Sequence, residues 1–150
     1  HKYAAGVTLK EHAYEAFKKA FDAEVKKTLI PEQKERVLDV DVALPFDAIS
    51  PKLLRLLKQM EPFGPENRSP VFIAEEVTDN GSAKLIGNDK THLKARLSQD
   101  ASAPIDAIGF GLGSSIDLLK TGSAFQIAYA LEENTWQGNV SLQLRIKDIQ

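Results

Sequence analysis

The stretch Met60-Glu61-Pro62-Phe63-Gly64-Pro65-Glu66-Asn67-Arg68-Ser69-Pro70 decides how this chain is read. Prolines 62, 65 and 70 and Gly64 stop any helix and any central strand, because proline lacks the amide hydrogen that both ladders need. Before the stretch, apolar residues recur mostly at helical spacing; after it they mostly alternate. It therefore separates a mainly helical part, residues 1–61, from a β part, residues 71–150, with 62–70 as the junction. The expected class is α+β.

Upstream, Thr8-Leu9-Lys10-Glu11 has the form of a capping box. Ala13, Ala16, Phe17, Ala20, Phe21, Val25 and Leu29 then form one apolar stripe, which predicts a helix ended by Pro31. Leu38, Val40, Val42 and Leu44 alternate with Asp39, Asp41 and Ala43, the pattern of a half-buried strand. Asp39 and Asp41 share its outer side, a conceivable metal-carboxylate pair; without a third ligand, a solvated face is the better reading. A second helix starts at Ser50 with Pro51 at its first position and stops at Pro62.

Downstream lie five strand-like segments. The first runs from Val71 to Val77 and resumes from Ala83 to Ile86. The break at Asp79-Asn80-Gly81 is either a bend in one long strand or a tight turn making a separate hairpin. His92–Leu97, Ile105–Phe110, Ala124–Leu131 and Ser141–Ile149 follow, with room for a short helix around Ser114–Leu119. Three strands, a helix and two strands is the order of an OB-fold, a small five-stranded Greek-key barrel, although SH3-like barrels also string short strands together.

In the second of these strands Leu93, Ala95 and Leu97 point inward, so His92, Lys94 and Arg96 point outward together, about 7 Å apart at every second residue. That spacing suits the phosphates of an extended single strand. Gln143, Arg145 and Lys147 face outward on the last strand by the same parity. In OB-folds the nucleic-acid face uses strands two and three, flanked by the loops between strands one and two and strands four and five. Lys90 lies in the first loop and Lys84 on the strand segment before it; Asn134–Asn139, with Trp136 as a stacking ring, is read as the second. Phe110 is core or exposed, since both parities of its strand carry apolar residues. The duller alternatives are basic decoration that guards a sheet edge and a tryptophan folded back as a lid.

The 150 residues hold one domain or two small ones, and no apolar run approaches a membrane span. Absence of cysteine removes disulfides and thiolate metal sites, and suits a reducing cytoplasm. The net charge is -2; residues 1–70 carry 12 basic against 11 acidic residues, and residues 71–150 carry 7 against 10. Any nucleic-acid grip in the β part must therefore be a local basic face.

Pro62-Phe63-Gly64 with Asn67 and Pro70 resembles the Pro-Phe-Gly-x-x-Asn-x-x-Pro junction of RecJ-type single-strand-specific exonucleases, where the DHH-associated domain hands over to an OB-fold. His1-Lys2-Tyr3-Ala4-Ala5-Gly6 is similar to the end of that domain's Gly-Gly-His-x-x-Ala-Ala-Gly motif. Gly87–Lys94, Asp106–Gly111 and Trp136–Gly138 extend the likeness over nearly the whole chain. The resemblance implies the end of a DHH-associated domain followed by an OB-fold, with His1, Ala4, Ala5 and Gly6 as the remnant of a substrate motif. It implies single-stranded DNA as partner, with contacts from Lys84, Lys90, His92, Lys94, Arg96, Phe110, Trp136 and Arg145.

The parent's chemistry would need Mg or Mn in a DHH domain. No Asp-His-His triplet occurs here, so no catalytic or metal residue is assigned and the chain is expected to be inactive by itself. The alternative is a structural or docking module that braces the nuclease or receives a single-strand-binding protein. Unpaired edges near Val7 and around Val40 also predict a homodimer.

Overall fold

Ser50 shows how local chemistry fixes the elements of this molecule: its Oγ accepts from the Leu53 amide at 3.2 Å, with Pro51 as the first helical residue, as the sequence predicts. The computed structural model describes residues 4–30, 33 and 37–150, apart from the side chain of Trp136. Contacts divide the chain into two compact units, His1–Leu38 and Asp39–Gln150.

In the first unit a 3-10 turn, Glu11–Ala13, leads into α1 (Tyr14–Thr28). The expected capping box does not form; extended Lys10 precedes the turn and no side chain caps it. Phe17 and Phe21, one turn apart on the apolar stripe, stack at 5.7 Å, and no residue of α1 is buried. Ala4, Ala5, Gly6 and Val7 are exposed and belong to no regular element, so the edge strand expected at Val7 is absent. His1 and Pro31 lie outside the described residues.

The second unit runs β1 (Val42–Ala43), α2 (Pro51–Gln59), β2 (Phe72–Asp79), β3 (Lys84–Ile86), β4 (His92–Gln99), β5 (Ile105–Gly109), α3 (Ile116–Lys120), β6 (Phe125–Trp136) and β7 (Asn139–Ile149). β1 is shorter than the strand expected over 38–44: only Val42 and Ala43 pair, in parallel with Phe72 and Ile73 of β2. Its alternation does not mark a buried face, since Val42 is 54% exposed. The two aspartates are held elsewhere. Asp41 accepts from the Val71 amide at 2.8 Å, and Asp39 lies 3.3 Å from Arg68.

Residues 39–61, grouped by sequence with the helical part, pack with the β unit. Phe46 is buried in the core beside Tyr129, whose hydroxyl donates to the Leu44 carbonyl at 2.6 Å. Gln99 clamps the same segment: its Oε1 accepts from the Phe46 amide and its Nε2 donates to the Glu75 carbonyl, both at 2.7 Å. In the junction, Asn67 Nδ2 donates to the carbonyls of Met60 and Pro62, at 2.7 and 3.0 Å. That bond pair gives the asparagine at this distance from Pro-Phe-Gly a structural role: its two amide hydrogens tie off the helix end.

The core is a ring of strands. β2 pairs antiparallel with both β4 and β6, β6 with β7, β7 in parallel with β5, and β5 with β4. This is the expected OB-fold arrangement. Leu93, Leu97, Ala107, Ile127 and Leu144 fill it at zero exposure, and Leu119 of α3 is buried with them. β2 breaks strict alternation because a bulge at Glu75-Glu76, with Glu76 at φ 54°, separates inward Ala74 from inward Val77. The break after Asp79 is a bend and not a hairpin: β2 and β3 lie along the same partner, with Asp79 opposite Leu97 and Lys84 opposite Lys94. The Asp79 carboxylate holds the bend through Ser82 Oγ and the Ala83 amide.

Candidate nucleic-acid interface

The outer surface of β3, β4, β5 and β7 carries the residues expected to bind. Leu93, Ala95 and Leu97 are buried, so His92, Lys94 and Arg96 project outward as alternation requires. Antiparallel register sets Lys84 of β3 beside Lys94, and Ile108 of β5 lies on its other side. Parallel pairing then puts Arg145 of β7 beside Ile108. One band across four strands thus reads Lys84, Lys94, Ile108, Arg145.

The Phe110 ambiguity resolves outward, because Ala107 and Gly109 take the buried positions and a Cβ on Gly109 would strike Leu112 at 2.9 Å. Phe110 is 51% exposed, with the His92 ring edge-on at 5.2 Å and the Arg145 guanidinium over its face at 5.3 Å. Stacking beneath a cation is a suitable platform for a nucleobase. His92 is also fixed from below, its Nδ1 accepting from the Gly111 amide at 3.1 Å.

Two arginines of the face are already partnered. Arg96 Nε lies 3.3 Å from Asp106, its register neighbour on β5, and Arg145 Nη1 lies 3.0 Å from Glu132 on β6. Lys84, Lys90 and Lys94 form no ion pair among the described residues. Lys90 sits at φ 54° in the turn after β3, where Asp89 accepts from the Thr91 amide. The Thr91 hydroxyl, followed by its amide, holds the Asp89 carboxyl below its ordinary value. Behind this turn Gly113 donates to the Thr91 carbonyl at 2.8 Å, so close that a Cβ would meet the Lys90 and Thr91 carbonyls below 3.0 Å.

The loop expected at 134–139 is instead a paired ribbon. β6 and β7 stay in register to Trp136 and Asn139, closed by Gln137-Gly138 with φ 49° and 81°, a two-residue turn whose backbone twist matches that of the strands. The Trp136 side chain lies outside the described residues. Between this ribbon and β4–β5 runs a groove of about 460 Å³, lined by Lys94, Asp106, Ile108, Asn134, Asn139 and Gln143 among others. Sequence reasoning set Gln143 outward and Asn134 and Asn139 in a flanking loop without giving them a contact, and it missed both carboxylate partners. Their only signal is cross-strand register, which alternation along one strand does not contain.

Among the described residues no three His, Cys, Asp or Glu side chains are grouped to hold a metal ion, and no helix is long and apolar enough to cross a membrane.

A family model described as the RecJ OB domain matches residues 40–148. Single-stranded-DNA-specific exonuclease RecJ of Bacillus subtilis is 28% identical over 148 residues, covering 99% of this chain and 19% of that protein. The Haemophilus influenzae RecJ is 28% identical over 152 residues, covering all of this chain and 26% of the relative. Crystal structures of RecJ from Thermus thermophilus superpose in fold. The Mg2+ complex does so with a TM-score of 0.59 at 22% identity, over 95% of this chain and 21% of the other, and the Mn2+ complex with 0.60 at 23%. The chain thus spans about a fifth to a quarter of the length of the curated relatives it matches. By that match over most of its length, the chain belongs to the RecJ OB domain family.

Proposed function

We propose that this chain is the single-stranded-DNA-binding region of a longer RecJ-type exonuclease. In this reading the strand lies across β4 and β5. Lys84, Lys90 and Lys94 contact phosphates, and a base stacks on the exposed part of the Phe110 ring beside Arg145. The observation that carries it is the grouping, on one outer barrel face, of an exposed aromatic ring, a capping guanidinium and lysines that form no ion pair among the described residues, in a chain with an acidic overall balance. Cleavage, with its Mg or Mn ions, belongs in this proposal to the remainder of the longer protein, and the cytoplasm is its compartment.

Fluorescence anisotropy with a labelled oligonucleotide tests the reading. K84A/K94A should weaken binding for all sequences and lower the slope of log affinity against log salt by about 1.4, at about 0.7 per lost single-strand phosphate contact. A wild-type chain that binds no oligonucleotide at low salt refutes it.

A docking role has one specific observation behind it. A groove of about 530 Å³ between α2, the junction and β6–β7 has an apolar floor of Leu54, Leu57, Phe63 and Leu131. On this second reading it receives a single-strand-binding protein. Pairing of two chains along the outer edge of β1 belongs to the same reading, and light scattering reports such pairing directly.

A further inference from the structure

We propose that the groove between β4–β5 and the distal β6–β7 ribbon is a nucleobase subsite that takes bases bearing an exocyclic amino group in preference to thymine. The proposal rests on the single-strand reading above and deepens it. Asp106 and Ile108 follow one another on the outer side of β5, about 7 Å apart, and Phe110 comes next just past its end. A base stacked on Phe110 therefore places its neighbour over half-buried Ile108, inside the groove.

The polar groups around that position are of two kinds. Lys94 is donor only; Asp106 is acceptor only, and Arg96 Nε occupies its Oδ1. On the ribbon side, Gln143 lies opposite Asp106 in register, with Asn134 and Asn139 beyond it. Bonds in this part of the ribbon run from Arg145 to Glu132 and from Ser141 to the Asn134 carbonyl. Among the described residues the three amides are thus left without a protein partner. Amides offer a donor and an acceptor side by side, the pattern of a base edge.

Asp106 breaks the neutrality of that set. Its carboxylate accepts from an amino group such as cytosine N4, flanked by ring acceptors that the amide donors of the ribbon can satisfy. Thymine carries a carbonyl where cytosine carries the amine, and two acceptors then face each other.

The test compares labelled oligo-dC and oligo-dT of equal length by anisotropy with the whole 150-residue chain. Oligo-dC should bind about two- to tenfold tighter, the worth of about one net hydrogen bond. Oligo-dT is the less stacked and more easily extended strand, so backbone flexibility works against this outcome. D106N, which exchanges an acceptor oxygen for a donor while keeping the shape, should bring the ratio close to one whatever it does to absolute affinity. Equal wild-type affinities, a thymine preference, or an unchanged ratio in D106N overturn the inference and leave the single-strand reading standing. Absence of binding to either oligonucleotide overturns both.

Discussion

Glu132→Gln probes the electrostatics of the face most directly. Arg145 caps Phe110 and is held at 3.0 Å by Glu132, with both side chains about two-fifths exposed. A phosphate approaching Arg145 must take the place of that carboxylate. An exposed pair of this kind is worth about 0.2–1 kcal/mol, so removing the competitor should tighten binding about 1.5- to fivefold. Arg145 then becomes available to a phosphate, and the salt slope should steepen by about 0.7. Glutamine keeps the length of the side chain and one acceptor oxygen, so the fold should lose less than about 1 kcal/mol. The assay is anisotropy across a range of salt, with Asp117→Asn on the distant α3 as a control for net charge alone. In the background of Arg145→Ala the same change should add nothing, since the two residues act as one pair. A variant that binds no tighter than wild type, with an unchanged slope, would place Arg145 off the DNA path.

Three further expectations concern the scaffold. Gln99→Ala removes both 2.7 Å bonds that tie the Phe46 segment to the barrel and should lower the free energy of unfolding by about 1–3 kcal/mol in urea titration. Burial pushes the Tyr129 hydroxyl above its ordinary value, so its contribution is full below about pH 10 and is lost as the pH rises beyond it. Wild-type stability should therefore fall there by up to about 1.4 kcal/mol per pH unit more than that of Tyr129→Phe, in denaturant titrations at alkaline pH. Gly113→Ala forces a methyl against the Thr91 and Lys90 carbonyls, and should cost about 1–3 kcal/mol while shifting the amide resonances of Lys90 to His92.

β4 was readable in advance because its alternation is strict from His92 to Leu97: each inward position there is apolar and each outward one basic. β2 was only partly readable, since the bulge at Glu75-Glu76 inserts one residue and moves Val77 into phase with the core. Phe110 could not be assigned while Ile108 and Ala107 were equally apolar; the backbone settled it by burying Ala107 and Gly109. The distal ribbon was mistaken for a loop because Glu132 to Asn139 is mostly polar. Strands that extend past the barrel have no core to face, and so no alternation to display. The carboxylates beside Arg96 and Arg145 depend on which strands lie side by side, and pairing partners are a property of the closed ring. The short strand at Val42 was overextended for the converse reason: of the four alternating apolar residues Leu38, Val40, Val42 and Leu44, only Leu44 packs against the core.

The inward turn of Phe46 has a practical corollary for dissecting this protein. A fragment opened at the proline-rich stretch would shed a buried aromatic ring, strand the Tyr129 hydroxyl without its acceptor, and rob Gln99 Oε1 of its donor. The shortest piece worth expressing therefore starts near Asp39, well ahead of the first long strand at Phe72.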